Sequence, residues 1–179
     1  LYKVTISGDT VASGAGEDRF TVTWTIPTGT GNPSNPIPLV ASATFIIDSF
    51  STSSLGLTIE IDNTQVLDDV IAYNLANPGS QIDISNANAI GGLNSILALG
   101  FNVSDTVTGV NVSDSGNLDW DAVVNGTGSS ALPAFKPLDL CIWAANNCSG
   151  GSAKNGLIAC TSDTVTLTLA GDFSTGPMT

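Results

Sequence analysis

The feature that most constrains the fold of this chain is an alternation of apolar and polar residues that recurs from one end to the other. In one such segment, Phe20, Val22, Trp24 and Ile26 alternate with threonines before Pro27 ends the run. A period of two residues places successive side chains on opposite faces of a strand, so each segment is typical of a half-buried β-strand. β-Branched residues and threonine suit such a pleated surface. The alternation therefore predicts a chain built mostly from β-strands.

Segments with this pattern are separated by stretches rich in turn-forming residues. Strands roughly 8–15 residues apart, without long helices between them, favour a β-sandwich over βαβ units. We therefore expect an all-β fold: a single, mostly antiparallel β-sandwich of the immunoglobulin-like kind with one or two short helices. The predicted strands are Leu1–Ser7, Phe20–Ile26, Val40–Asp48, Leu55–Ile61, Ile82–Ile84, Leu99–Val103, Val107–Val112, Leu118–Val124, Leu138–Trp143, Gly156–Cys160 and Thr164–Leu169.

Two segments have apolar residues at helical spacing. Gln65–Leu75 ends before Asn77-Pro78-Gly79, and this segment could equally form a strand; Asn88–Leu97 is the second candidate helix. No repeat or linker divides the chain, so we expect an N-terminal strand and tether over residues 1–15 and one sandwich domain over residues 16–179.

The charge balance excludes several classes of function. The chain has 16 acidic and 4 basic residues, no histidine and a net charge of −12. Four scattered cations cannot neutralise a nucleic-acid backbone or bind an anionic lipid surface. Without histidine, neither a Ser-His-Asp nucleophile nor a His-ligated zinc site can form. We therefore expect a protein that is not an enzyme, has no nucleic-acid partner and needs no cofactor apart from the calcium ion considered below.

The compartment is predicted from the chain start and from hydropathy. The sequence begins at Leu1 and enters the alternating pattern at once, which we expect of a secreted protein after removal of its signal peptide. No apolar run reaches the roughly 18 residues of a membrane span. We expect the protein outside the cell or at the cell surface.

Two kinds of covalent modification fit that compartment. Cys141, Cys148 and Cys160 do not have zinc-finger spacing, and a disulfide is predicted either between Cys141 and Cys148 or between Cys148 and Cys160. Asparagine glycosylation is the second, because four Asn-x-Ser/Thr sequons are present. They lie at Asn102, Asn111, Asn125 and Asn147.

One turn concentrates carboxylates around an aromatic residue. On a strand, Asp119 and Asp121 would share one face and Trp120 would occupy the other. Two carboxyl groups are the minimum for glycoside hydrolysis. The alternation, however, favours Trp120 in the core and both aspartates in solvent. Asp114, Asn117, Asp119 and Asp121 also form a candidate calcium-binding turn, without the spacing of an EF-hand. Trp120 with these acids is the candidate for a carbohydrate-binding surface.

The first strand offers another interpretation. Tyr2, Val4 and Ile6 form an apolar face, and a stretch of small residues, 8–16, follows it. The segment is either an ordinary first strand of its own sheet or a strand that adds to the open edge of a neighbouring subunit by β-augmentation.

In these features the chain resembles the subunits of donor-strand filaments, which include bacterial chaperone-usher pilins and archaeal extracellular thread and bundling-pilus proteins. The N-terminal strand Leu1–Ser7, the threonine-rich body and the late alternating strand Asp163–Leu169 carry the resemblance. It implies a pilin-like sandwich whose missing strand comes from another copy, with Tyr2, Val4 and Ile6 filling the acceptor groove. The expected function is a structural filament or surface subunit whose partners are copies of itself; a secreted carbohydrate-binding or adhesion module that binds glycans or cell surfaces is the alternative.

Overall fold

The computed structural model describes residues 3–9, 18–29, 36–64, 66–82, 95–103, 106–116, 118–126, 138–144 and 146–173. Within these ranges the chain is mostly β-structure, which confirms the predicted all-β class. A 3-10 turn lies at Ala153–Asn155. The helix is α1 (Val66–Ala76), and the strands are β1 (Lys3–Asp9), β2 (Asp18–Ile26), β3 (Leu39–Phe50), β4 (Ser54–Asp62), β5 (Ser95–Ile96), β6 (Ala98–Phe101), β7 (Thr106–Asp114), β8 (Asp121–Val124), β9 (Leu140–Trp143), β10 (Leu157–Ile158) and β11 (Ser162–Asp172).

The larger sheet has six strands in the order β1-β2-β3-β4-β11-β7, and each neighbouring pair is antiparallel. The last long strand of the chain, β11, lies between β4 and β7, so Leu167 has Leu57 on one side and Val112 on the other. Because the alternation of the three strands is in register, their apolar residues share one face of the sheet. That face forms one side of the core.

The smaller sheet supplies the other side of the core. It has three strands in the order β6-β9-β8, and β5 and β10 form a separate two-stranded ribbon. Leu140 and Ile142 of β9 are fully buried and belong to the same apolar cluster as Leu57 and Leu167. The two sheets therefore pack face to face as a β-sandwich.

The outer face of the larger sheet is polar and carries few charges. Thr21 and Thr44 are neighbours on β2 and β3, and their Oγ1 atoms form a hydrogen bond of 2.8 Å. On β4, the Oγ1 of Thr58 donates a hydrogen bond of 2.7 Å to Oδ2 of Asp48. Cross-strand hydrogen bonds of threonine hydroxyl groups, such as these two, stabilise a sheet.

The helix α1 confirms the helical alternative for Gln65–Leu75. Val70 is buried against Leu39 in a small second cluster, whereas Ile71 and Leu75 are exposed. The helix ends just before Asn77, because Pro78 cannot continue it. No helix in the described ranges is long and apolar enough to cross a membrane.

Two predicted elements are wrong where the structure describes them. The proposed helix Asn88–Leu97 begins outside the described residues, but its end contains strand β5, which pairs with β10. A two-residue strand is too short to show a period, so the helical spacing misled the prediction. The second is the predicted strand Ile82–Ile84, of which only Ile82 is described. Ile82 lies outside any strand, and its N–H donates a hydrogen bond of 2.7 Å to the side-chain Oδ1 of Asn74 and not to a neighbouring strand.

Replacing Leu167 by alanine is expected to lower the free energy of unfolding by about 2–5 kcal/mol, because a fully buried leucine leaves a cavity. Urea denaturation followed by tryptophan fluorescence measures the change. The control is Thr168→Ala on the exposed face of the same strand, for which we expect a change within about 0.5 kcal/mol. Equal effects of the two substitutions would contradict the assignment of the faces.

Candidate functional site

Strand β2 presents an apolar row that the smaller sheet does not fully cover. Phe20, Val22 and Trp24 are half-buried and pack against the rim of the core. The smaller sheet ends at β6 on this side, whereas at its other end β8 lies against β7. In the part of the chain that the structure describes, the sandwich is therefore closed where β7 meets β8 and open between β2 and β6.

A cavity of about 300 Å³ lies at this open side and is named the open groove. Phe45 of β3 forms part of its floor: its ring stacks on Phe20 with 4.8 Å between centroids and meets Phe101 of β6 edge-on at 5.3 Å. Among the described lining residues none is charged. They are Phe20, Val22, Trp24, Phe45, Leu57, Gly100, Phe101 and Asn102.

Strand β6 borders the open groove with a free edge. Its inner edge pairs with β9, from Ala98 opposite Trp143 to Phe101 opposite Leu140. Within the described ranges, no strand pairs with its other edge. An edge strand presents unpaired N–H and C=O groups that can accept another strand. An apolar floor and a strand edge thus occur side by side.

The predicted donor-strand residues lie near this site in the fold. Tyr2 is outside the described residues. Val4 and Ile6 belong to β1, where they are paired with Trp24 and Val22 of β2, although their side chains are not among those described. In its own subunit, β1 is the edge strand of the larger sheet.

Alternation predicted the apolar row of β2, but the meeting of Phe20, Phe45 and Phe101 depends on residues far apart in the chain. Each of the three occupied an inward position of a predicted strand, which was the only sequence signal for them. Which inward residues line an open side depends on how many strands the opposing sheet has.

The predicted calcium-binding turn is held together by its own backbone. Asp114 accepts hydrogen bonds from the N–H of Gly116 at 2.7 Å and of Trp120 at 3.2 Å. Asp119 and Asp121 are exposed, and Asn117 lies outside the described residues. Among the residues that the structure describes, no three acidic or cysteine side chains converge on a metal position.

Trp120 is not a surface aromatic, so the prediction that it forms a carbohydrate-binding surface is wrong. Its side chain is 5% exposed, and its indole Nε1 donates a 3.1 Å hydrogen bond to Oδ2 of Asp163. Asp163 is itself 7% exposed and also accepts from the N–H of Thr164 at 2.9 Å. Alternation correctly placed Trp120 in the core and its two flanking aspartates in solvent.

Sequence reasoning missed the buried carboxylate of Asp163. A signal was present, because Asp163 continues the inward positions Val165, Leu167 and Leu169 of β11. A buried carboxylate needs hydrogen-bond donors, and the indole of Trp120 supplies one of them. The pair ties the turn after β7 to the start of β11.

The disulfide joins Cys141 to Cys148, the first of the two predicted pairings. The alternative with Cys160 is wrong, because Cys160 keeps a free thiol. Cys160 has a positive φ of 64° at the turn between β10 and β11. Burial raises the pKa of its thiol.

The four sequon asparagines lie in different surroundings. Asn102, Asn111 and Asn125 are exposed. Asn147 is half-buried, and its Oδ1 accepts hydrogen bonds from the N–H and the hydroxyl of Ser149 at 2.9 and 2.6 Å. Asn102 is also engaged, because its Oδ1 accepts from the N–H of Asp139 at 3.0 Å. Glycosylation of these residues stays a prediction.

The substitution Trp120→Phe is expected to lower the free energy of unfolding by about 1.5–3 kcal/mol, because it removes a hydrogen bond to a buried carboxylate. Chemical denaturation measures the loss. The control is Trp143→Phe, at a half-buried tryptophan on β9, for which we expect a smaller effect. If the two variants lose the same stability, the bond to Asp163 is not the important contact.

The thiol of Cys160 is expected to react with iodoacetamide only at a higher pH in the folded chain than in the unfolded chain, because burial raises its pKa. Its contribution to stability is complete below the pKa of the unfolded thiol and is lost as the pH rises through the folded pKa. Alkylation rates measured against pH in buffer and in urea test this. The control is Cys160→Ser, and coinciding pH profiles would contradict the effect of burial.

Comparison with known proteins gives no match at any level. No family model matches the chain, and neither the curated proteins nor the solved structures include a match.

Proposed function

We propose that this protein is a structural subunit of an extracellular filament or surface assembly, in which the N-terminal strand of one copy completes the sandwich of the next. The observation that carries the proposal is the open groove: an apolar row on β2, aromatic rings on β3 and β6, and a strand edge beside them. A site of this composition suits an extended peptide with apolar residues on one face.

The N-terminal segment has the required pattern. Val4 and Ile6 alternate with Lys3, Thr5 and Ser7. In a strand, such a segment directs its apolar side chains to a groove and its polar side chains to solvent. Burying an aliphatic side chain of this size contributes about 1.5–3 kcal/mol, so two or three of them provide useful affinity.

The connection between β1 and β2 is long enough for exchange between copies. Residues 10–17 link the two strands, whereas a hairpin needs only about 2–5 residues. Eight residues span up to about 26–29 Å when extended. That reach allows β1 to leave its own sheet and enter a neighbouring subunit.

The rest of the chain is compatible with repeated contact outside the cell. The disulfide between Cys141 and Cys148 suits an oxidising compartment. The outer face of the larger sheet presents mainly neutral hydroxyl groups, which limits repulsion between neighbouring copies that each carry a net charge of −12.

Deleting residues 1–7 is expected to abolish assembly and leave a folded monomer, because the other strands supply the core cluster formed by the side chains that the structure describes. Negative-stain electron microscopy and size-exclusion chromatography measure assembly, and circular dichroism checks the fold. Filaments that persist after the deletion would contradict the proposal.

A matched pair of point variants tests the same strand without shortening it. Ile6→Asp is expected to prevent assembly, because it brings a charge to an apolar groove. Thr5→Asp, one residue away on the opposite face of the strand, should leave assembly intact. If both variants assemble as well as the parent chain, the apolar face of the N-terminal strand has no role in it.

A further inference from the structure

We infer that the incoming strand of a second copy is received in the open groove, where it pairs with the free edge of β6, and not at the edge of β2 that the departing β1 leaves vacant. This inference rests on the proposed function and deepens it. The donor stays the same, but the acceptor edge belongs to the smaller sheet.

The vacant edge of β2 offers little cover to an apolar strand. A second copy bound there would adopt the register of β1, with Val4 opposite Trp24 and Ile6 opposite Val22. That position lies one strand further out than β2 in the larger sheet. Since the apolar row of β2 is itself only half-buried, a strand beyond it would bury even less of its own apolar face.

The edge of β6 offers both kinds of contact at once. A strand added beside β6 becomes the fourth strand of the smaller sheet and lies over Phe20, Val22 and Trp24. Its backbone pairs with the free edge of β6, as β-augmentation requires. Its apolar side chains face the aromatic floor, which contains no charged residue among those described.

The occupant is the N-terminal strand of a second copy because its pattern fits such a site. Its charged residue, Lys3, lies on the face opposite Val4 and Ile6. Bound in the groove, it would direct Val4 and Ile6 inward and Lys3 and Thr5 to solvent. Residues 10–17, which link β1 to β2, would then connect the two subunits.

Disulfide trapping between two full-length variants distinguishes the two acceptor edges. The donor copy carries Thr5→Cys; the acceptor copy carries either Gly100→Cys or Ala98→Cys on β6, or Thr23→Cys on β2. Both copies also carry Cys160→Ser, so that no other free thiol is present. Directly paired residues of neighbouring strands lie about 4.5–5.5 Å apart between Cα atoms, which a disulfide can bridge.

The acceptor positions share the outward side with Thr5. Gly100 and Ala98 alternate with the core-facing Leu99 and Phe101, so two positions cover a shift of register by two residues. Thr23 is the residue paired with Thr5 within one subunit and therefore reports on the edge of β2. Copies with tags of different mass make mixed dimers visible on a non-reducing gel.

The expected result is covalent mixed dimers with Gly100→Cys or Ala98→Cys and their loss with Thr23→Cys. Mixed dimers with Thr23→Cys alone would overturn the assignment to β6 while leaving exchange of the N-terminal strand intact. Absence of mixed dimers with all three acceptors, in material that forms filaments, would overturn both the groove assignment and the exchange of the N-terminal strand between copies. The same result is expected if another segment of the same chain occupies the open groove.

Discussion

The structure depends on the difference in size between its two sheets. Among the residues that the structure describes, six strands face three, so the described strands of the smaller sheet cover only part of the apolar surface of the larger sheet. At β7 and β8 the sheets meet, and Val107 is buried there, while Val110, Val112, Ala122 and Val124 are half-buried. At β2 and β6 they do not meet, and Phe20, Val22 and Trp24 remain half-buried. The hydrophobic effect acts on this half-buried row as it does on the core, and this is the physical basis of the proposed addition of a further strand.

The closed side shows what a completed sandwich contains. There the turn after β7 brings Trp120 into the interior, and its indole N–H satisfies the buried carboxylate of Asp163. Asp114 holds the same turn by accepting two backbone N–H groups. These polar contacts specify one arrangement of the strands, whereas the open groove is lined mainly by apolar side chains beside a strand edge. A polar network excludes alternatives more strongly than an apolar surface does, because an unsatisfied buried polar group is costly.

Individual residues illustrate how far the alternation could be used for prediction. It placed Leu167 in the core and Thr168 on the outside, because the period of two assigns each residue of a strand to a face. It also placed Trp120 in the core, although this residue lies just before β8. It could not place Ser95–Ile96, since two residues do not establish a period. The acids beside Trp120 also suggested a binding role for it, because aromatic residues near acids occur both in cores and in sugar sites. Only the burial of its side chain distinguishes a core tryptophan from one that binds a sugar.

The amino-acid sequence by itself determined the class of the fold, the inward and outward residues of the long strands and a low-charge surface without histidine chemistry, whereas it left α1 open between a helix and a strand. These properties depend on local periodicity and composition. Only the tertiary structure decided the order of the strands, the choice of Cys148 as the partner of Cys141, and the burial of Asp163. It also decided that the sandwich is open beside β2. These properties depend on which strands become neighbours across long stretches of chain, and a period of two residues carries no information about that choice.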